Sequence, residues 1–216
     1  MIDRMQQHHS GLLEAGSPMA ILRLRHLEHA VAMSCALRDG GITALEFPLT
    51  NAKATDAITQ VRQALLDEVW VGAGTVLDAE SASRAIGAGA QFLVTPAFLP
   101  GVIDVGLSRG IPVICGAYTP TEILAAWQAG ATFVKVFPAG SAGPSYIRDL
   151  LGPFPDILLI PTGGVTLENC AAFLAAGAYT VAVGSHLVNE ALAQQQDWKA
   201  LTRRARHYVE ACTVQP

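Results

Sequence analysis

The chain has 216 residues, of which 51% are hydrophobic, 15% are charged and 20 are glycine. This composition excludes a disordered chain or a coiled coil, and it predicts one globular domain over residues 1–216. The net charge of −4 argues against a nucleic-acid or anionic-membrane partner and favours a small-molecule ligand.

No apolar run approaches the ~18 residues of a membrane span, and the first residues lack the apolar stretch of a signal peptide. We therefore expect a cytoplasmic protein. The four cysteines are widely spaced without a Cys-x-x-Cys pair, which predicts free thiols. The histidines and carboxylates show no metal-binding spacing, so we expect no metal.

Glycine recurs along the chain, and a short apolar run follows it each time, as at Gly41, Gly89, Gly110 and Gly130. This pattern is typical of a helix C-cap that leads into a strand. The runs are almost continuously apolar, which indicates parallel strands buried on both faces. Strands are predicted at residues 19–23, 43–48, 69–73, 91–95, 111–115, 132–137, 157–160 and 180–183.

Helix-sized segments separate these strands. The clearest helix start is Thr119-Pro120, where Glu122 completes a capping box. Eight βα units in succession predict an α/β fold, a single (β/α)8 TIM barrel, with an extra N-terminal helix over residues 1–16. An open doubly wound sheet is the main alternative, but Leu24-Arg25-His26 after the first strand lacks the glycines of a dinucleotide site.

Lys135 interrupts an otherwise apolar strand. Alternation places Phe133, Lys135 and Phe137 on one face and the flanking valines on the other. An ammonium among helix-packing valines would lose its hydration without compensation, so the lysine is predicted to face into the barrel. It is either a member of an internal ion pair or a nucleophile, because apolar walls favour the neutral amine that attacks carbonyl groups.

Two further charged residues lie within predicted strands. Glu46 is near the C-terminal end of the second strand, where TIM-barrel active sites lie, and is an acid–base candidate. It could equally be a structural partner of Lys135 or Arg23. Arg23 ends the first predicted strand, and its guanidinium suits either a substrate carboxylate or a balancing glutamate.

Glycine-rich segments end three of the predicted strands. Thr162-Gly163-Gly164 and Gly184-Ser185 follow strands seven and eight, whose loops are the recurring phosphate site of TIM barrels. Their backbone N–H groups are candidate phosphate ligands. Gly72-Ala73-Gly74-Thr75 ends strand three and is interpreted as a close backbone approach that leaves Thr75 available to a substrate.

Five motifs extend this interpretation: Leu45–Leu49, Val71–Val76, Val94–Pro96, Val134–Ala139 and Pro161–Val165. In chain order they resemble the motifs of the 2-keto-3-deoxy-6-phosphogluconate (KDPG) and 4-hydroxy-2-oxoglutarate (KHG) aldolases. The resemblance runs from about residue 17 to about residue 205, and the lysine motif with its trailing Phe-Pro is its most specific part.

This resemblance implies a class I aldolase, without metal or organic cofactor, in which Lys135 forms a Schiff base and Glu46 moves protons. It implies cleavage of KDPG to pyruvate and D-glyceraldehyde 3-phosphate in the Entner–Doudoroff pathway, by a homotrimer. Thr75 would contact the pyruvyl part, and the glycine loops would hold the phosphate. The implied substrate-binding residues are Arg23, Thr75, Pro96, Phe137, Thr162, Gly163, Gly164, Gly184 and Ser185.

The sequence departs from the family after Leu49. Many members have Leu-Arg-Thr or Leu-Arg-Ser there, and the arginine binds the pyruvyl carboxylate. This chain has Thr50-Asn51 instead. Arg23 is therefore predicted to take that role.

The motifs also divide between branches of the family. Glu46–Leu49 and Gly143–Ile147 look like the 6-phosphogalactonate (KDPGal) branch, whereas Pro161–Gly164 looks like the gluconate branch. A KDPGal or KHG aldolase is thus an alternative on the same scaffold. More distant alternatives are another phosphate-binding barrel enzyme and a phosphosugar-binding protein.

Overall fold

The computed structural model describes residues 13–213, which form a barrel of eight parallel strands surrounded by helices. Strands adjacent in sequence are neighbours in the sheet, and a parallel bridge between Thr162 and Ala182 joins its two ends. All eight predicted strands and the (β/α)8 TIM barrel are confirmed. The strands are β1 Met19–Ile21, β2 Ala44–Pro48, β3 Trp70–Gly74, β4 Phe92–Val94, β5 Val113–Ala117, β6 Phe133–Val136, β7 Leu159–Pro161 and β8 Ala182–Val183.

A helix follows each strand, as the alternation predicted. At α5 the predicted capping box is present: Glu122 N–H donates to Thr119 Oγ1, and Thr119 N–H donates to the Glu122 carboxylate at 2.8 Å. The helices are α1 Ala30–Asp39, α2 Ala54–Leu65, α3 Ala79–Gly87, α4 Pro100–Arg109, α5 Pro120–Gln128, α6 Gly143–Leu151, α7 Cys170–Ala175, α8 Glu190–Gln195 and α9 Trp198–Thr213.

The predicted N-terminal helix over residues 1–16 is wrong for its last four residues, and residues 1–12 lie outside the described part. Residues 13–16 are not helical. Gly16 has a φ of +80°, outside the helical region, and its N–H donates to the Tyr179 carbonyl. The Leu13 carbonyl accepts a hydrogen bond from the Tyr179 hydroxyl at 2.8 Å, so this segment is attached to the chain before β8.

Side chains alternate between the barrel interior and the helix layer. On β6, Phe133 lies in the inner cluster, and Val134 and Val136 pack against the helices, as predicted. The strands therefore bury both faces, which is what parallel strands covered by helices require. The inner cluster consists of Leu13, Met19, Ile21, Ala44, Phe92, Val94, Ile114, Phe133, Ile160 and Ala182.

The cysteines are free thiols, as predicted, and three of the four are buried. Burial is also the main cause that raises the pKa of Cys212 to about 12, so this thiol is protonated at neutral pH. Of the helices formed by residues 13–213, none combines the length and apolar character that crossing a membrane requires.

Candidate active site

Lys135 and Glu46 face each other across the interior of the barrel. Lys135 is on β6 and Glu46 is on β2, two strands separated by three others in either direction around the closed sheet. Lys135 is 3% exposed and Glu46 is 1% exposed. Lys135 was predicted to point inward, and Glu46 was predicted to lie near the C-terminal end of its strand. Their place above the apolar inner cluster puts both at the carboxyl ends of the strands, where TIM-barrel sites lie.

These two side chains are near one another but form no direct ion pair. Among residues 13–213, the ion pairs within 4.0 Å are all made by other side chains, and each has at least one well exposed member. Glu46 Oε2 is buried and has no hydrogen-bond partner in this part of the chain. Of the two interpretations of Lys135, the directly paired structural lysine is therefore not what the geometry shows.

Burial shifts both groups toward their neutral forms. It lowers the pKa of Lys135, an effect that Glu46 opposes and Arg23 reinforces. It raises the pKa of Glu46, and here Lys135 and Arg23 both act in the opposite direction. A lysine with a lowered pKa supplies more neutral amine, and a glutamate with a raised pKa can carry a proton closer to neutral pH.

The Phe137 ring lies beside the lysine, with its centre 5.0 Å from Lys135 Nζ. A Cβ at Gly163 would approach this ring to 2.9 Å, and Gly163 has a φ of +80°, which favours glycine. Glycine at position 163 therefore leaves the space that the Phe137 ring occupies between Lys135 and the end of β7.

A pocket opens next to Phe137, at the carboxyl ends of β7, β8 and β1. It gathers seven of the nine predicted substrate-binding residues. Its lining consists of Ile21, Arg23, Phe137, Thr162, Gly163, Gly164, Val165, Ala182, Gly184, Ser185 and His186.

Backbone N–H groups that have no acceptor within residues 13–213 line this pocket. Among the residues that the structure describes, no acceptor receives the N–H groups of Gly163, Gly164, Ser185 and His186. The Gly184 carbonyl accepts hydrogen bonds from the N–H groups of Leu187 and Val188, so a single helical turn starts here. Free N–H groups at such a turn and in a glycine loop can bind an anion, phosphate in particular.

The loops after β6 and β7 are joined directly behind the pocket. Gly140 N–H donates to the Gly163 carbonyl at 2.7 Å, and a Cβ on Gly164 would lie 2.7 Å from Gly140 Cα. Asn169 Nδ2 donates to the Gly164 carbonyl at 2.9 Å, and Asn169 Oδ1 accepts the Thr166 N–H. The glycine loop is thus held in one conformation by a contact that only glycine permits and by an asparagine.

Three predicted site residues lie just beyond the ends of their strands, and for one of them this differs from the expectation. The prediction that Arg23 lies within a barrel strand is wrong, because β1 ends at Ile21 and a tight turn at Leu22–Leu24 follows. Arg23 is exposed at the rim of the pocket instead. Thr75 and Pro96 follow β3 and β4 and do not line this pocket, although both are at the carboxyl end of the barrel.

Sequence reasoning missed two residues that shape the site. Asn169 lies where α7 begins and gives no motif signal. Gly74 belongs to the segment interpreted as a close backbone approach, and the structure shows that the approaching group is the Glu46 side chain. No group of three or more His, Cys, Asp or Glu side chains within residues 13–213 is arranged to hold a metal ion.

The fold and this site define a TIM-barrel enzyme. A family model described as "KDPG and KHG aldolase" matches residues 11–204. The chain therefore belongs to the KDPG and KHG aldolase family, whose members are aldehyde-lyases.

Individual relatives come from two branches of this family. The chain is 36% identical to the 2-dehydro-3-deoxy-phosphogluconate aldolase of Pseudomonas aeruginosa, over 82% of this chain and 81% of the relative. It is 37% identical to the 2-dehydro-3-deoxy-6-phosphogalactonate aldolase of Escherichia coli, over 78% and 83%. The KDPG aldolase of Legionella pneumophila, crystallised with pyruvate captured as a covalent carbinolamine, has a TM-score of 0.82 and 29% identity, over 89% of this chain and 94% of that one.

Proposed function

We propose that this chain is a class I aldolase that reversibly cleaves KDPG to pyruvate and D-glyceraldehyde 3-phosphate, with Lys135 as the Schiff-base residue. The observation that carries the proposal is the buried Lys135 opposite Glu46, with neither side chain in an ion pair within 4.0 Å among residues 13–213. The relative from Legionella pneumophila, which carries pyruvate as a carbinolamine, supports covalent chemistry on this scaffold.

In the cleavage direction, the neutral Lys135 amine adds to the C2 carbonyl, and the carbinolamine loses water to form an iminium. Glu46 takes the proton of the C4 hydroxyl while the C3–C4 bond breaks, and the electron pair passes into the iminium. This releases D-glyceraldehyde 3-phosphate and leaves an enamine. Protonation at C3 and hydrolysis of the resulting iminium then give pyruvate and the free amine.

The two charged ends of the substrate have separate partners in this proposal. The phosphate binds the loops after β7 and β8 at Gly163, Gly164, Gly184 and Ser185, which line the pocket. Within residues 13–213 the N–H groups of Gly163, Gly164 and Ser185 have no acceptor and face this ligand. Arg23, across the same pocket, binds the pyruvyl carboxylate. Thr75 and Pro96 contact the pyruvyl part from the β3 and β4 side, and Phe137 forms the wall beside the lysine.

KDPGal is the second candidate substrate. It differs from KDPG in the configuration at C4, and the relative from Escherichia coli that is 37% identical is a phosphogalactonate aldolase. Thr162 would lie near C4 in this arrangement: its side chain is 2% exposed, lines the pocket, and donates to the Ile160 carbonyl. KHG, which lacks the phosphate, is the third candidate.

Reductive trapping tests the proposal. Pyruvate and borohydride should add one reduced adduct to Lys135, and since the chain has three lysines, peptide mapping identifies it. The exposed Lys53 and Lys199 are internal controls. An adduct on either of them, or none, would contradict the class I assignment.

The choice of substrate requires a separate assay. Cleavage of KDPG, KDPGal and KHG should be compared by coupled detection of pyruvate, with and without prior treatment with EDTA. KDPG should give the highest kcat/KM, and EDTA should leave it unchanged. A higher kcat/KM for KDPGal would select the second candidate.

The remaining proposals come from the family resemblance. We infer a cytoplasmic homotrimer that acts in the Entner–Doudoroff pathway. Sedimentation velocity of the purified protein tests the trimer, because the monomer mass is 22.7 kDa and the assembly should be three times as heavy.

A further inference from the structure

One peptide group in the loop between β1 and α1 is hydrogen-bonded on both sides by side chains from other loops. It joins Leu24 to Arg25. Its carbonyl accepts from Asn51 Nδ2 at 2.9 Å, and its N–H donates to Glu190 Oε1. Asn51 Nδ2 also donates to the Arg25 carbonyl at 3.0 Å. Asn51 belongs to the loop after β2 and Glu190 begins α8, so the β1–α1 loop is held between its two neighbours around the barrel.

Asn51 is itself held by further hydrogen bonds, and Glu190 is partly buried. Asn51 Oδ1 accepts the Lys53 N–H at 2.8 Å, and the Asn51 N–H donates to the Pro48 carbonyl. Glu190 is partly buried, and its Oε2 is buried without a hydrogen-bond partner among the described residues. Burying a carboxylate oxygen in this way costs free energy, so the stability of α8 alone does not account for a glutamate here.

The held peptide group lies one residue beyond Arg23, and the Arg23 side chain lines two pockets. Arg23 lines the pocket that contains Gly163 and Gly164. It also lines the neighbouring surface depression that contains Thr50 and Glu190. No carboxylate of residues 13–213 is within ion-pair distance of its guanidinium. The position of Arg23 at the rim therefore depends on its backbone, and the backbone is set by the loop.

We propose that Asn51 and Glu190 are positioning residues for Arg23: they fix the Leu24–Arg25 peptide group so that the Arg23 guanidinium lines the mouth of the barrel. The inference rests on the proposed function, in which Arg23 binds the carboxylate of the keto acid. It assigns a role to Asn51, one of the two residues by which the chain departs from its family after Leu49. It also assigns a role to Glu190, which no motif singled out.

The test is a double-mutant cycle in which KM and kcat are measured separately for each variant. Glu190→Leu removes the acceptor of the Arg25 N–H, and Asn51→Asp removes the amide donor at nearly constant volume. Each should raise KM by about 3- to 10-fold, because Glu190→Leu loses one hydrogen bond to the loop and Asn51→Asp loses the two that its Nδ2 donates. Each should leave kcat within about twofold. Glu190→Gln keeps an acceptor oxygen and should restore KM to near the wild-type value. Glu210→Leu, at an exposed position on α9, is the matched control and should change neither constant.

The Arg23→Met background separates positioning from a general structural effect. In that background Glu190→Leu and Asn51→Asp should cause no further rise in KM, since there is no guanidinium left to place. The inference is overturned if their effects persist there, or if both single variants keep the wild-type KM. Hydrogen exchange of the Arg25 amide should accelerate in Glu190→Leu, and unchanged exchange would likewise overturn the inference.

The same measurements distinguish a failure of this inference from a failure of the proposed function. A wild-type protein that cleaves none of the three keto acids refutes the proposed function. A wild-type protein that cleaves one of them, with unchanged KM in the Glu190 and Asn51 variants, refutes the positioning role alone. Should Glu190→Leu fail to fold, Asn51→Asp in both backgrounds decides the question.

Discussion

Gly74 on β3 lies directly against the carboxylate of Glu46 on β2. A Cβ placed on Gly74 would overlap the carboxylate carbon and both oxygens of Glu46. In the strand register Glu46 is paired with Gly72, so the glutamate side chain leans toward the carboxyl end of the neighbouring strand. The second glycine of Gly72-Ala73-Gly74 thus provides the space that the candidate acid–base group occupies.

Gly74→Ala should therefore displace Glu46 without disturbing the strand. Gly74 does not have a left-handed φ, so alanine can adopt its backbone conformation. A general acid–base group contributes about 10²- to 10⁴-fold to turnover, and we expect kcat to fall by about 10²-fold when the carboxylate is moved. Stopped-flow or coupled assays of pyruvate release measure this.

The matched control is Gly87→Ala, at the end of α3, where an added Cβ would meet no neighbouring atom. This variant should keep the wild-type kcat. Wild-type turnover in a folded Gly74→Ala protein would show that the location of the Glu46 carboxylate is not important for catalysis.

Glu46→Gln should lower kcat by about 10²- to 10⁴-fold and should also move the pH dependence of Schiff-base formation. Only the neutral amine attacks, so the trapping rate at low pyruvate should rise with pH to an inflection below 10.5, the ordinary pKa of lysine. The Glu46 anion raises the pKa of Lys135, and its removal should shift the inflection to lower pH. Arg23→Met should shift it to higher pH, because Arg23 lowers that pKa.

Rates of borohydride trapping across the pH range measure both shifts. If Glu46 were only a structural partner of the lysine, the main effect of Glu46→Gln would be a loss of stability with near-normal turnover. Denaturant unfolding of the same variant therefore distinguishes the structural role from the catalytic one.

Arg23→Met should weaken pyruvate binding by about 1.5 to 3 kcal/mol, the effect of a lost charge-assisted hydrogen bond. The defect should appear with KDPG and KDPGal alike, because both carry the same carboxylate. Thr50→Ala is the comparison, since Thr50 stands where many family members have arginine, and it should change pyruvate affinity little. Calorimetric titration with pyruvate decides: unchanged affinity in Arg23→Met together with loss in Thr50→Ala would assign the carboxylate to the loop after β2.

Gly164→Ala should impair phosphorylated substrates selectively. Gly164 has a φ of +79°, and its added Cβ would come within 2.7 Å of Gly140 Cα, so the loop that presents the free N–H groups must move. We expect kcat/KM for KDPG to fall at least about tenfold, as for loss of a hydrogen bond to a charged group, and kcat/KM for KHG to change less.

Gly110→Ala is the control for backbone strain. Gly110 also has a positive φ, +64°, but an added Cβ would have no neighbour, and it caps α4 away from the pocket. It should reduce stability and leave kcat/KM for both substrates unchanged. Equal losses for KDPG and KHG in Gly164→Ala would argue against a phosphate role for this loop.

Much of the fold was predictable because parallel strands under helices leave a strong pattern of buried, glycine-punctuated apolar runs. The inward direction of Lys135 followed from alternation together with the hydration that an ammonium would lose among helix-packing valines. The motif resemblance added the family and the roles of the site residues. These parts depend on sequence-local information.

The rest depends on contacts between segments distant in the chain. Arg23 was assigned to a strand because Ala20–Leu22 is apolar, but β1 ends at Ile21. The chain continues into the loop that Asn51 and Glu190 hold at Leu24–Arg25. Neither attachment is visible from local sequence, since Glu190 lies 165 positions from its Arg25 partner. The space that Gly74 leaves for Glu46 likewise depends on the register between two strands.

The barrel wall has a seam between β7 and β8. Neighbouring strands elsewhere are paired over two to five residues each, whereas this junction has the single Thr162–Ala182 bridge. The N–H groups that lack an acceptor among residues 13–213 lie on both sides of that junction, in the loops after β7 and β8. An anion bound to both loops would therefore link the two strands, and its release would remove that link. Phosphate-bearing ligands should consequently slow amide exchange along β7 and β8 more than pyruvate does, and the seam should be the first part of the wall to open when the pocket is empty.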